Sequence, residues 1–198
     1  MDIKIVLAIL SLVVSFGTFL PYFVGISRHQ TVPHVFSWTT WGILDGLGFI
    51  LSAAEGGGAG ALIFASESVL SFSIAGYAYF RGEKEITLLD KFSFGSAIVI
   101  IAVYGFTRDA LVSVCLASII YTLGFVPTFR KSYLKPHNEP ALTYFLTAVG
   151  FAFSLGALET YTFVSVLFPV VVLIESAMLT AFLLLRRKLS TLPTNSGG

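Results

Sequence analysis

Seven stretches of this chain are almost purely apolar and about twenty residues long, the length that carries a helix across the hydrocarbon of a bilayer. They run over 3–26, 34–54, 59–80, 88–106, 109–130, 140–158 and 161–186. Lipid offers no partner to a backbone N–H or C=O, so such stretches must satisfy their own hydrogen bonds as helices. The breaks between them are polar or glycine-rich: Arg28–Pro33, Gly56–Gly60, Arg81–Thr87, Thr107–Asp109, Lys131–Pro140 and Glu159-Thr160. The pattern predicts an all-α membrane protein with one transmembrane domain over 1–188 and a disordered, polar tail over 189–198. Composition agrees, since 12% charged residues and a mean hydropathy of +0.87 lie far from soluble usage. Lys4 ahead of an apolar run resembles the start of a signal peptide. The run ends in Phe16-Gly17-Thr18-Phe19-Leu20-Pro21 without a small-x-small cleavage site, so it reads as a retained first helix.

Charge sets the expected orientation. If all seven stretches cross, ten of the twelve Lys and Arg fall on the side of the first, third and fifth loops and the C-terminus, and only Lys4 and Arg108 on the other. By the positive-inside rule the N-terminus lies outside and the C-terminus in the cytoplasm, in a plasma (inner) membrane. A net charge of +1 gives no sign of a nucleic-acid partner. The single Cys115 allows no intrachain disulfide, and with three His the chain is poorly equipped for structural zinc. No cofactor motif is present, so the expected partners are lipid, a small-molecule solute and, possible for such a bundle, further copies of the chain.

The first and last thirds echo each other. Phe19-Leu20-Pro21-Tyr22-Phe23 matches Phe125-Val126-Pro127-Thr128-Phe129 at a spacing of 106. Pro33 matches Pro140 at 107, and Glu67-Ser68 matches Glu175-Ser176 at 108. Repeat one (3–81), a linker helix (87–107) and repeat two (109–187) then give a 3+1+3 layout. An odd number of crossings between the repeats makes them parallel, related by an axis along the membrane normal. Parallel-repeat carriers place their sites between the halves near mid-membrane.

This layout, the outside N-terminus and a proline near the cytoplasmic end of the first and fifth helices resemble the SWEET sugar transporters and the wider PQ-loop family. The resemblance covers nearly the whole chain in architecture, and it implies a transport-like fold. It is thinner in residues. The PQ pair reads Pro21-Tyr22 and Pro127-Thr128, so its glutamine is absent twice. The nearest candidates for the family's hinge prolines inside helices two and six, Pro33 and Pro140, sit at helix starts. No asparagine stands where the family has binding asparagines on helices three and seven; the polar residues there are Glu67 and Glu175.

Three acids fall inside the apolar stretches: Asp45, Glu67 and Glu175. Counted from the glycine loop at 1.5 Å per residue, Asp45 and Glu67 lie at depths that agree within a few ångström. The second half has Ala152 where the first has Asp45, so the symmetry breaks there. All twelve Lys and Arg map to loops or helix ends, and His29, His34 and His137 to the cytoplasmic side, so no basic residue can reach these acids inside the membrane. At roughly 3 kcal/mol per charge at mid-bilayer, three would cost about 9 kcal/mol. That rivals a whole protein's net stability of about 5–15 kcal/mol. The acids must be protonated, line a water-filled cavity, or meet a cation from outside the chain. His34, Trp38, Trp41 and Asp45 fall on one stripe of the second helix. Indole faces there would attract cations or stack on sugars. Ser71 shares a face with Glu67, and Gly42 and Gly46 let a neighbouring helix approach closely. Pro21, Pro127 and Pro169 are the candidate hinges of helices one, five and seven.

Each feature has a plainer explanation. Glu67 and Glu175 could be a structural pair joining the halves, and Asp45 could bond a helix end. Trp38 could anchor to headgroups, with Trp41, one turn deeper, as the better ligand contact. The prolines could be static kinks, the Lys and Arg topology signals, and His34 an interfacial residue. The functional expectation is a small-solute carrier or facilitator. It would be proton-coupled or take a cationic or polar solute, held between the repeats by Glu67, Glu175, Trp41, Asp45, Ser71 and Trp38. The alternative is a non-transporting receptor or scaffold of the PQ-loop type. With no metal-binding His motif and no nucleophile elbow, an enzyme is not expected.

Overall fold

A computed structural model describes residues 2–83 and 85–190, apart from the side chain of Pro127. The predicted disordered tail and Lys84 therefore lie outside the described residues. Seven α-helices account for most of the described chain, and no strand occurs among the described residues. They are α1 (Ile3–Ser27), α2 (Val35–Ala54), α3 (Leu62–Arg81), α4 (Leu88–Thr107), α5 (Ala110–Leu134), α6 (Ala141–Ala157) and α7 (Phe163–Ser190). Short 3-10 turns over Gly58–Ala61 and Pro136–Asn138 precede α3 and α6.

The helix ends follow from local chemistry. Asp2 and Asp109 cap α1 and α5 by accepting from Lys4 N–H and Val112 N–H, each at 3.0 Å. Thr87 and Asp90 form a reciprocal capping box at the start of α4. The glycine loop between α2 and α3 turns sharply because Gly56 (φ +76°) and Gly58 (φ +60°) adopt left-handed backbone. Pro21 and Pro169 lie inside helices that continue through them.

Five helices, α1, α3 (with its leading 3-10 turn), α4, α5 and α7, are long and apolar enough to cross a membrane. The expectation of seven such helices is met less fully by the other two. α6 has only 17 residues, and α2 is diluted by the polar and aromatic side chains it turns inward. Long hydrophobics stay on the outside, such as Phe106, Phe80 and Val69, at 89%, 77% and 67% exposure. Serines and threonines are turned inside, where Ser15, Ser113, Ser132, Ser154, Ser165 and Ser176 are fully buried. An apolar exterior around a core that mixes hydroxyls with hydrophobics is compatible with a lipid surround.

Six helices close a ring in the order α1, α3, α2, α5, α7, α6, which returns to α1, while α4 lies outside against α2 and α5. In each triplet the third helix packs between the first and second. The two triplets meet through α1 with α6 and through α2 with α5, so each junction maps onto the other when helix numbers shift by four. Small residues bring the elements together. Ser68 Oγ donates to the Gly42 carbonyl at 2.7 Å, joining α3 to α2. Gly48 receives the Phe168 ring so closely that an added Cβ would lie 2.6 Å from it. Gly60 sits against the α6 backbone, where a Cβ would lie 2.8 Å from the Ser154 carbonyl oxygen and the Leu158 nitrogen.

Gly60→Ala must therefore displace backbone, and it should lower stability by about 1–3 kcal/mol. Gly76→Ala, on α3 with open space around it, should be neutral or stabilising by about 0.5–1 kcal/mol. Melting of the two purified variants checks the contrast; equal effects would contradict the Gly60 contact.

Candidate functional site

The buried stripe of α2 puts Trp38, Trp41 and Asp45 on the inner face of the ring, at 6%, 5% and 2% exposure. The buried stripe of α3 puts Glu67 and Ser71 opposite. Between them lies a small internal chamber of about 30 Å³, walled by Asp45, Glu67, Ser71, Trp41, Thr143 and Ser176 among others. Tyr121 and Phe125 of α5, and Phe19 and Thr18 of α1, complete the wall. Such a space takes one or two water-sized groups. Among the described residues no Lys, Arg or His lines it.

Glu67 is anchored from the neighbouring helix α1. Ser15 on α1 donates to its Oε1 at 2.8 Å, and the Ser66 hydroxyl lies 2.9 Å from that of Ser15. Asp45 differs, because its Oδ1 is buried without a hydrogen-bonding partner. The hydroxyls of Thr143 and Ser176 are buried and unpartnered as well. Trp41 Nε1 also lacks a partner, but it faces Gly124 on α5, where an added Cβ would lie 3.0 Å away.

The wall is built on aromatic contacts. Trp38 and Trp41 meet edge to face with ring centroids 5.2 Å apart, and Trp41 packs on Phe125 at 5.3 Å. Trp38 Nε1 donates to the Tyr22 hydroxyl at 3.0 Å. This bond and its burial place Trp38 inside the protein, not at a headgroup belt.

Above the chamber a vestibule of about 260 Å³ opens at the end of the bundle carrying the α1–α2, α3–α4 and α5–α6 connections. Trp38, Trp41 and Tyr144 line both spaces. Two side-chain contacts with acids stand at the vestibule. His34, which also caps α2, lies with Nε2 3.5 Å from Asp90 Oδ2. Lys131 Nζ meets the buried Glu139 Oε1 at 2.7 Å and also donates to the Val32 carbonyl at 3.0 Å. Tyr144 donates its hydroxyl to Glu139 Oε2 at 2.8 Å. Arg187 of α7 donates to the carbonyls of Pro136 and Glu139, tying that connection to the bundle.

The opposite end is packed shut. Phe64 of α3 and Phe168 of α7 stack with centroids 5.2 Å apart and planes 2° from parallel. Phe151 and Tyr121 close around them at 5.1 and 5.2 Å. Beyond this plug, Ser154 Oγ donates to the Gly60 carbonyl at 2.7 Å, and Glu159 N–H donates to the Gly57 carbonyl at 3.3 Å.

Of the residues singled out in the sequence, Asp45, Glu67, Ser71, Trp38 and Trp41 come together around the chamber. Glu175 does not join them. It is half-buried on α7 beside Thr122 of α5, and its neighbour Ser176 takes the place at the chamber wall. The fully buried residues of α7 include Phe168, Val172, Ser176, Leu179 and Leu183, and the half-buried Glu175 borders them beside Ser176. Phe64 and Phe168, which stack, and Ser71 and Ser176, which both line the chamber, stand 104 and 105 residues apart. Pro21 and Pro169 are in place within α1 and α7; the side chain of the third candidate hinge, Pro127, lies outside the described residues.

Sequence reasoning missed Ser15 and the Lys131–Glu139–Tyr144 group. Ser15 was signalled by the stripe Ser11, Ser15, Thr18, Tyr22, spaced like that of α2 and buried throughout. Lys131 was read only as a topology charge. No family model matches the chain, and no curated protein or solved structure matches it.

Lys131→Met should cost about 3 kcal/mol, because it leaves the Glu139 carboxyl buried without its cation. The double variant Lys131→Met, Glu139→Gln should recover most of that loss. Chemical unfolding of the three variants in a double-mutant cycle measures the coupling.

Proposed function

We propose that this protein is a small-solute carrier of the membrane, built as two parallel three-helix repeats joined by a linker helix, α4. All seven helices cross in this reading, with the N-terminus outside and the basic loops in the cytoplasm, as the charge distribution favours. The observation that carries the proposal is the pair of neighbouring spaces, one opening at the basic end and a smaller one beside Asp45 and Glu67, with a packed aromatic plug at the other end. A carrier must expose its central site to one side at a time, and this arrangement has the form of a state facing the cytoplasm. Two unpaired acids at mid-membrane suit a carrier that moves a cationic solute or couples to protons.

The opposite state requires the Phe64–Phe168 plug to part and the vestibule to close. Pro21, Pro127 and Pro169, lacking backbone donors inside α1, α5 and α7, are the places where these helices can bend. Lys131, bonded both to Glu139 and to the Val32 carbonyl, spans the α2–α5 junction and so holds the two repeats together at the vestibule. The resemblance to the SWEET and PQ-loop group supports the same architecture.

Flux into reconstituted vesicles tests the proposal with a panel of labelled amines, amino acids and sugars. Wild-type protein should pass at least one of them. Glu67→Gln and Asp45→Asn should each reduce that flux at least tenfold while keeping the melting temperature of the parent. Undiminished flux in both variants would remove the acids from the mechanism, and no flux of any panel member would favour a receptor or scaffold.

A further inference from the structure

The chamber is unequal in hydrogen-bonding character, and the inequality identifies a ligand class. Asp45 presents an unpartnered, buried Oδ1. Thr18 and Thr147 line the same space, but their hydroxyl protons go to the carbonyls of Val14 and Thr143. What each can still offer the chamber is lone pairs. The unpartnered hydroxyls of Thr143 and Ser176 can accept equally well. The one unpartnered indole donor of the wall, Trp41 Nε1, is turned to Gly124. A space rich in acceptors, carrying two carboxyls and free of basic side chains, calls for a compact group made of donors and bearing positive charge. Its aromatic wall adds ring faces, which attract cations.

Size selects among cations. About 30 Å³ admits one or two water-sized groups. A primary ammonium head fits that space, whereas a quaternary ammonium, with a methyl on every direction, does not. The remainder of such a molecule has room in the vestibule of about 260 Å³, which shares Trp38, Trp41 and Tyr144 with the chamber.

We propose that the chamber is a receptor for a primary ammonium group, which docks on Asp45 and on the hydroxyls of Thr143 and Ser176 while the body of the amine lies in the vestibule. This rests on the carrier reading only in taking the two spaces as one path; binding itself requires no transport.

The chain supplies its own reporter, because its two tryptophans both stand in the wall. Intrinsic fluorescence of the full chain in detergent is titrated with butylammonium, tetramethylammonium, butanol and glucose. Butylammonium should give a saturable change, with the other three at least tenfold weaker. Asp45→Asn should weaken butylammonium at least tenfold, and Thr143→Val should weaken it about threefold, both at unchanged helicity by circular dichroism. Should Asp45→Asn fail to fold, Thr143→Val alone decides, since it removes an acceptor and keeps the volume. Equal binding of tetramethylammonium or butanol, a preference for glucose, no saturable signal, or unaltered affinity in the folded variants would each overturn the site. If amines bind but none crosses vesicles, the carrier reading fails and the ammonium site stands. If a sugar crosses and amines do not bind, the reverse holds.

Discussion

A carboxyl group in a bilayer must find water, a proton or a cation, and the rest of this fold is arranged around that demand. Asp45 and Glu67 stand on neighbouring helices and face the same space. The solution is local. Glu67 receives a hydroxyl from Ser15 across the α1–α3 contact, and Asp45 is left facing the chamber with an oxygen unspoken for. Many large apolar side chains face outward, and others, such as Leu44, Ile74, Leu179 and Leu183, pack the core beside the aromatic plug. Among them the interior also holds small and hydroxylic residues, the material that lets helix backbones approach closely without a hydrophobic drive between them.

The two ends of the ring are held by different chemistry. The shut end relies on dispersion and steric fit: stacked phenylalanines, and glycines that accept a ring or a backbone where any side chain would clash. The vestibule end relies on the Lys131–Glu139 ion pair, the His34–Asp90 contact and bonds to loop carbonyls, which break and re-form with modest motion. Packed apolar layers are bistable more than deformable. A plug and a set of polar latches at opposite ends are therefore suited to exchanging which end is closed. The α2–α5 junction, where α4 also packs and Lys131 reaches across to Val32, is where the latches bear on both halves.

Much of this was legible in the sequence, for definite reasons. Helix bounds followed from apolar length and from glycine, proline and charge at the breaks, and they fall within a few residues of the observed ends. The stripe Trp38, Trp41, Asp45 and the depth match of Asp45 with Glu67 needed only helical geometry, and these residues do meet. Glu175, matched to Glu67 at a spacing of 108, is not among the residues lining the chamber and lies half-buried beside Thr122, while its neighbour Ser176 lines the wall. Glu139 was invisible as a buried acid because it lies between helices, where periodicity carries no information; only tertiary contact with Lys131 and Tyr144 encloses it. α2 was legible as a helix, although the residues that build the chamber lower its hydropathy and leave it outside the five most apolar helices.

The central claim is that the carboxyl-bearing chamber is reached from the basic-loop end and sealed from the other. Ser71→Cys, in a chain whose Cys115 is replaced by Ala, places a thiol in the chamber wall. A small, charged, membrane-impermeant thiol reagent can then be added to either face of oriented vesicles. The account predicts modification from the face bearing Arg130, Lys131 and Lys135 and protection from the face bearing the glycine loop. Modification from the glycine-loop face alone, or from neither face, would contradict it.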